Sequence, residues 1–155
     1  LLISPADGTV TDITPMQEPD FIGGPATRVG VFMDVTSVHV NRAPCAGRVA
    51  FVRHVPGKFH NVMTLENAAE NEANLIGIER PDGTKILVRQ IAGLVARRIV
   101  CAVKPGDELA AGQRIGMIKF GSRLETFVPE GVELNVRVQP GDTATAGLTV
   151  LGEIQ

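Results

Sequence analysis

Turn signals cut this chain into short β-type runs, and that punctuation leaves few folds open. Pro5-Ala6-Asp7-Gly8, Pro81-Asp82-Gly83, Pro105-Gly106-Asp107 and Pro140-Gly141-Asp142 each combine a preset φ, a residue tolerant of left-handed angles and an Asp that bonds nearby backbone. Between them lie runs at 27–35, 38–41, 47–54, 75–79, 85–90, 95–103, 113–120, 133–138 and 148–154. Strands this short and turns this frequent predict a mainly β fold, a single-domain sandwich or barrel-like sandwich spanning residues 1–155. One stretch departs from the pattern. Residues 64–74 are rich in Glu, Ala and Asn, contain no Gly or Pro, and read as a short helix that Thr64 can cap.

The turns also repeat. Val103-Lys104-Pro105-Gly106-Asp107 returns 35 residues later as Val138-Gln139-Pro140-Gly141-Asp142, and Ala111-Gly112 returns as Ala146-Gly147. A second echo pairs Pro5-Ala6-Asp7-Gly8-Thr9-Val10 with Pro44-Cys45-Ala46-Gly47-Arg48-Val49. Two copies are too few for a solenoid, so the repeat predicts two similar β-layers packed in one sandwich. The V-x-P-G-D-x-x-x-A-G pattern resembles the hammerhead turns of lipoyl- and biotinyl-type domains.

Composition narrows the function classes. Fifteen Lys and Arg against seventeen Asp and Glu, no basic block and no Trp or Tyr argue against a nucleic-acid partner. Cys45 and Cys101 lie far apart in a chain too large to need stapling, and read as reduced thiols. No run approaches the ~18 apolar residues of a membrane-spanning helix. Nothing reads as a signal peptide, and a start at Leu1 instead of Met leaves an upstream segment open, with any anchor it carries.

Three segments hold latent chemistry. Phe120-Gly121-Ser122-Arg123 follows a β-run; alone it is a turn, yet Gly121 tolerates backbone angles that let the Ser122 hydroxyl reach the Gly121 carbonyl carbon. Attack there converts the amide to an ester, and β-elimination then cuts the chain. Serine is a weak nucleophile at neutral pH, so this needs a base and an orienter. Val38-His39-Val40-Asn41-Arg42-Ala43-Pro44 offers His39, which in isolation reads as a structural histidine but is the side chain suited to proton transfer near pH 7. Ser4-Pro5-Ala6-Asp7-Gly8 offers Asp7, by itself a turn residue. Asp7, His39 and Ser122 together supply carboxylate, base and hydroxyl, a trio defined by geometry and not by chain order.

Taken jointly these segments resemble the phosphatidylserine decarboxylases in their short prokaryotic form. The likeness runs from Ser4–Gly8 through Val38–Pro44, Pro56-Gly57-Lys58-Phe59 and Asn71-Glu72 to Phe120–Arg123 and the closing Gly-rich repeat. It implies a proenzyme cut between Gly121 and Ser122 into a β-chain, 1–121, and an α-chain, 122–155, that remain associated. Ser122 would become a covalent pyruvoyl cofactor, His39 would be the base and Asp7 its orienter, with no metal. Two departures stand out: Thr36 lies where longer relatives carry a second histidine, and Arg123 where they carry Ser or Thr. The group that protonates the product carbon is thereby left open, with His54 and His60 as candidates.

The implied reaction converts phosphatidylserine to phosphatidylethanolamine through a Schiff base with the pyruvoyl ketone, an electron sink of the kind pyridoxal phosphate provides elsewhere. A lipid substrate implies a membrane surface as partner, and the expected location is the cytoplasmic face of the cell membrane, as a peripheral protein; homo-oligomer formation is open. Charge divides as +1 over 1–121 (13 basic, 12 acidic) and −3 over 122–155 (2 basic, 5 acidic), so electrostatic attraction is not the main anchor. The partly apolar stretch Asp20-Phe21-Ile22-Gly23-Gly24-Pro25 is a candidate membrane loop, and Arg42, Arg48, Arg97 and Arg98 are candidates for a lipid phosphate. Two alternatives remain: a biotinyl- or lipoyl-type carrier domain displaying Lys119, and a pyruvoyl decarboxylase of a soluble amino acid.

Overall fold

The computed structural model describes residues 1–33, 40–56, 72–93, 99–118 and 122–155. Within them the chain forms strands β1 (Leu2–Ile3), β2 (Gly8–Glu18), β3 (Gly24–Met33), β4 (Val40–Arg42), β5 (Gly47–Val55), β6 (Ala73–Glu79) and β7 (Lys85–Ile91). The second half adds β8 (Ile99–Cys101), β9 (Glu108–Leu109), β10 (Arg114–Ile118), β11 (Ser122–Pro129), β12 (Leu134–Val136), β13 (Thr143–Ala144) and β14 (Val150–Ile154). The mainly β expectation holds. The helix does not hold where it can be seen: Ala73 and Asn74 open β6, paired with Val55 and His54 of β5, because one face of that strand feeds the core. The rest of 64–74, up to residue 71, lies outside the described residues.

A curled sheet of eight strands, in the order β13-β2-β3-β11-β7-β6-β5-β9, forms the body of the fold. Two small sheets, β1-β14-β12 and β4-β10-β8, accompany it. Period-2 alternation gives the large sheet two apolar faces. Val29, Val31, Met33, Ile76, Ile78, Ile86, Val88, Leu124 and Val128 build the main inner core. On the outer face Ala26, Leu75, Leu87 and Phe127 form a smaller cluster.

The sequence repeat is a repeat of structure, but it does not make two layers. It marks the two ends of one sheet. The Gly106 amide donates to Val49 O and the Val49 amide to Asp107 O, each at 2.8 Å. At the other end Gly141 and Val10 exchange the same pair of bonds, through Val10 O and Asp142 O, also at 2.8 Å. Asp107 and Asp142 each close their turn by accepting a backbone amide at 3.0 Å, from Lys104 and Gln139. Gly106 and Gly141 take matching left-handed φ values of 98° and 99°. β2 and β5 even carry register shifts at equivalent places, between Val10 and Asp12 and between Val49 and Phe51. The glycines of the two P-x-x-G echoes have a steric cause: a Cβ on Gly8 would stand 1.9 Å from Phe32 O, and one on Gly47 2.5 Å from Glu79 O.

Candidate active site

Ser122 is the first residue of β11, a strand flanked on both sides, by β3 and β7. It lies opposite Met33, shares the inner face with Leu124 and Val128, and is 1% exposed. A hydroxyl there is shielded from bulk water. Gly121, the other residue of the predicted scissile bond, lies outside the described residues.

Asp7 directly precedes β2, and Thr9 of β2 is paired with Phe32 of β3. Since β3 separates β2 from β11, Asp7 and Ser122 sit at the same end of the sheet, about two strand spacings apart, roughly 10 Å between backbones. The Asp7 carboxylate is anchored: its Oδ1 accepts the Ala146 amide at 2.6 Å, which ties the P-A-D-G turn to the second repeat. His39, like Thr36, lies outside the described residues. Its near neighbour Asn41 does not.

Asn41 exposes something sequence reasoning missed, a chain of buried amides leading to the Ser122 end. Asn74 Nδ2 donates to Gln90 Oε1, and Gln90 Nε2 donates to Asn41 Oδ1, both at 2.9 Å. Asn41 Nδ2 in turn lies 3.7 Å from the sulfur of Met33, the residue facing Ser122 across the ladder. All three amides are 2% exposed or less. β4, which continues from His39, is thereby tied to the strand beside Ser122. The available signal was polar residues within apolar runs, Asn41 in V-H-V-N-R and Gln90 in L-V-R-Q-I.

An ion cluster covers the outer face of the same strands. Glu125, 2% exposed, accepts Arg89 Nε at 2.7 Å and Arg123 Nε at 2.8 Å, with Arg28 Nη1 at 3.4 Å. Asp12 accepts Arg28 Nε at 2.9 Å and also bonds Arg123 Nη2. Burial raises the Asp12 pKa, but the hydrogen bond from Arg123, that from Thr11 and the charges of Arg123 and Arg28 outweigh it and hold the group down to about 2.

The other candidates of the sequence that fall among the described residues have partners in the fold. In Asp20–Pro25 the Glu18 carboxylate accepts the amides of Asp20, Phe21 and Ile22 at 2.8, 3.0 and 2.6 Å. Phe21 folds back to stack on Phe51 at 5.7 Å between ring centroids. Arg42 donates to Gly112 O at 2.9 Å and Arg48 pairs with Glu79 at 3.9 Å, so both have structural partners; Arg97 and Arg98 lie outside the described residues. His54 Nε2 is 3.2 Å from Glu72 Oε2, and Glu72 also receives the Ile99 amide at 3.2 Å. His60 and Lys119 lie outside the described residues. Both cysteines are free, and burial pushes the Cys45 thiol up to about 11.

Comparison with known proteins decides the family. The sequence profile of phosphatidylserine decarboxylase matches residues 1–152. This chain belongs to the phosphatidylserine decarboxylase family. Three relatives, each named phosphatidylserine decarboxylase proenzyme, align along nearly its full length. The one from Ruegeria pomeroyi is 51% identical, over 100% of this chain and 71% of its own. Those from Cereibacter sphaeroides and Desulfotalea psychrophila are 50% and 45% identical, over 99% of this chain and 67% and 71% of their own. The family is one of decarboxylases, and the carrier-domain alternative loses its support.

Proposed function

We propose that this chain is a proenzyme that cuts itself between Gly121 and Ser122 and then decarboxylates phosphatidylserine to phosphatidylethanolamine. The observation that carries the reading is the position of Ser122: buried, first in a central strand, at the sheet end that also holds Asp7 and the amide chain through Asn41. Self-cleavage requires the Ser122 hydroxyl to attack the Gly121 carbonyl carbon, forming an ester as the C–N bond breaks. Elimination then removes the Cα proton and expels the Gly121 carboxylate. Water replaces the nitrogen, which leaves as ammonia, and a ketone remains.

His39 takes the hydroxyl proton in this reading. Asp7, its Oδ1 already fixed by the Ala146 amide, offers its second oxygen to the imidazole and stabilises the cation that forms. About 10 Å between strands leaves room for one imidazole between carboxylate and hydroxyl. The site of Ser122 suits a pyruvoyl group, which is uncharged, close to serine in size and sheltered among Met33, Leu124 and their neighbours. When present, that group supplies the electron sink decarboxylation requires. Contact with a membrane surface is proposed at the same end, where the apolar Phe32 and Val55 are exposed at 41% and 36%.

Denaturing mass spectrometry tests the reading. Wild type is expected as pieces of 121 and 34 residues, while Ser122→Ala and His39→Ala remain single 155-residue chains. Either variant appearing in two pieces removes that residue from the cleavage. Release of CO2 from phosphatidylserine, and none from free serine, separates the lipid enzyme from a decarboxylase of soluble amino acids.

A further inference from the structure

Self-cleavage creates a mechanical problem at residue 122. The peptide bond that held it from the N-terminal side is gone, and its nitrogen has left, so it has no backbone N–H to offer the sheet. Ladder pairing of β11 begins at Ser122 on the β3 side and at Arg123 on the β7 side. Arg123 is thus the first residue held from both sides, and a severed strand end frays unless something ties it down.

The Arg123 side chain has the geometry of such a tie. It lies along the outer face and crosses β3 to reach β2. Nη1 donates to Thr11 Oγ1 at 2.7 Å, Nη2 bonds Asp12 Oδ1, and Nε donates to Glu125 at 2.8 Å. Three acceptors on one planar fork fix its position and direction. The path depends on Gly30, where a Cβ would stand 2.3 Å from Arg123 Nη2 and 2.5 Å from Asp12 Oδ1. The register shift of β2 between Val10 and Asp12 lies beside it. Charge balance alone does not explain the contact: Arg28 already pairs with Asp12, and Arg28 and Arg89 with Glu125. Arg123 is a third guanidinium over two carboxylates.

We propose that Arg123 is a positioning residue for the mature enzyme: gripped by Thr11, Asp12 and Glu125, it holds the new end of β11 so that the group made from Ser122 stays in place. The proposal rests on the self-cleavage reading. It assigns Arg123 no contact with substrate and no part in the cut.

The full-length chain as wild type, Arg123→Ala, Arg123→Lys, Thr11→Val and Gly30→Ala tests it through three measurements: the cut fraction by mass spectrometry, hydrogen exchange over 123–128, and turnover of phosphatidylserine in detergent micelles. All five are expected to be cut. Cut Arg123→Ala exchanges at least tenfold faster over 123–126, with kcat at least tenfold lower and KM within twofold of wild type. Arg123→Lys keeps one ion pair and recovers part of both losses, and Gly30→Ala reproduces them with every charge retained. Cut Arg123→Ala with wild-type exchange and kcat overturns the proposal, as does a defect confined to the cutting step. If Arg123→Ala does not fold, Gly30→Ala and Thr11→Val decide by the same criteria. Wild type that stays uncut overturns the self-cleavage reading and this inference with it, whereas cut wild type beside a fully active Arg123→Ala sinks this inference alone.

Discussion

A carboxylate facing two guanidiniums makes the acid behaviour of this protein a question about single residues. Asp12 faces Arg28 and Arg123, with Thr11 and Thr14 as hydroxyl donors and Glu125 in the same cluster. Its carboxyl is lowered from 3.8 to about 2 on folding, so the folded chain binds that proton less readily than the unfolded one. The stabilisation is complete well above pH 3.8 and is lost as pH falls through about 2. Thermal melts of wild type and Asp12→Asn should differ by a constant amount at neutral pH and converge as pH drops across that window. A gap that persists unchanged down to pH 2 contradicts the ion-pair account. Asp7, His39 and Ser122 stand out in the sequence as site candidates because each residue type brings its own chemistry. The partners of Asp12 do not, because Arg123 lies 111 positions away and only the strand order brings them together.

Three elements here are joined by buried amides as well as by apolar surface. Gln90 of β7 accepts from Asn74 of β6 and donates to Asn41 of β4, all inside the main core. Gln90→Leu fills the volume but strips both neighbours of a partner. Each buried polar group left unpaired costs about 1–3 kcal/mol, so the variant should lose about 2–6 kcal/mol. At about 2–4 °C per kcal/mol for a chain of this size, calorimetry should find Tm lower by about 4–24 °C. A shift under about 2 °C means the amides are hydrated or re-paired without cost. At this scale the turns were readable, since Pro, Gly and Asp have fixed conformational preferences and the P-G-D copies fold alike. The start of β6 was not. Ala73 and Asn74 have no strong strand preference of their own, and their state is set by pairing with Val55 and His54.

Strand order determines what a cut at Gly121 would do to the molecule as a whole. Residues 122–155 supply β11, enclosed by β3 and β7, and β13 on the edge beside β2. They also supply β12 and β14, which complete a sheet with β1. The 35-residue repeat made the two P-G-D turns legible, but two copies are compatible equally with two layers or with two ends of one sheet, and only long-range pairing decides between them. The consequence is that neither piece has a closed core without the other. Extracting β11 would break two ladders and expose Leu124, Phe127 and Val128, while a free 34-residue chain is below the size that sustains a fold without staples. The cut protein is therefore expected to migrate as one particle in native size exclusion, with both masses under the same peak. Titrated with urea, it should release the small piece in the same transition that abolishes the circular dichroism of the sheet. A 34-residue fragment that elutes alone without denaturant, leaving a folded 121-residue remainder, would show that β11 is dispensable to the sheet it bisects.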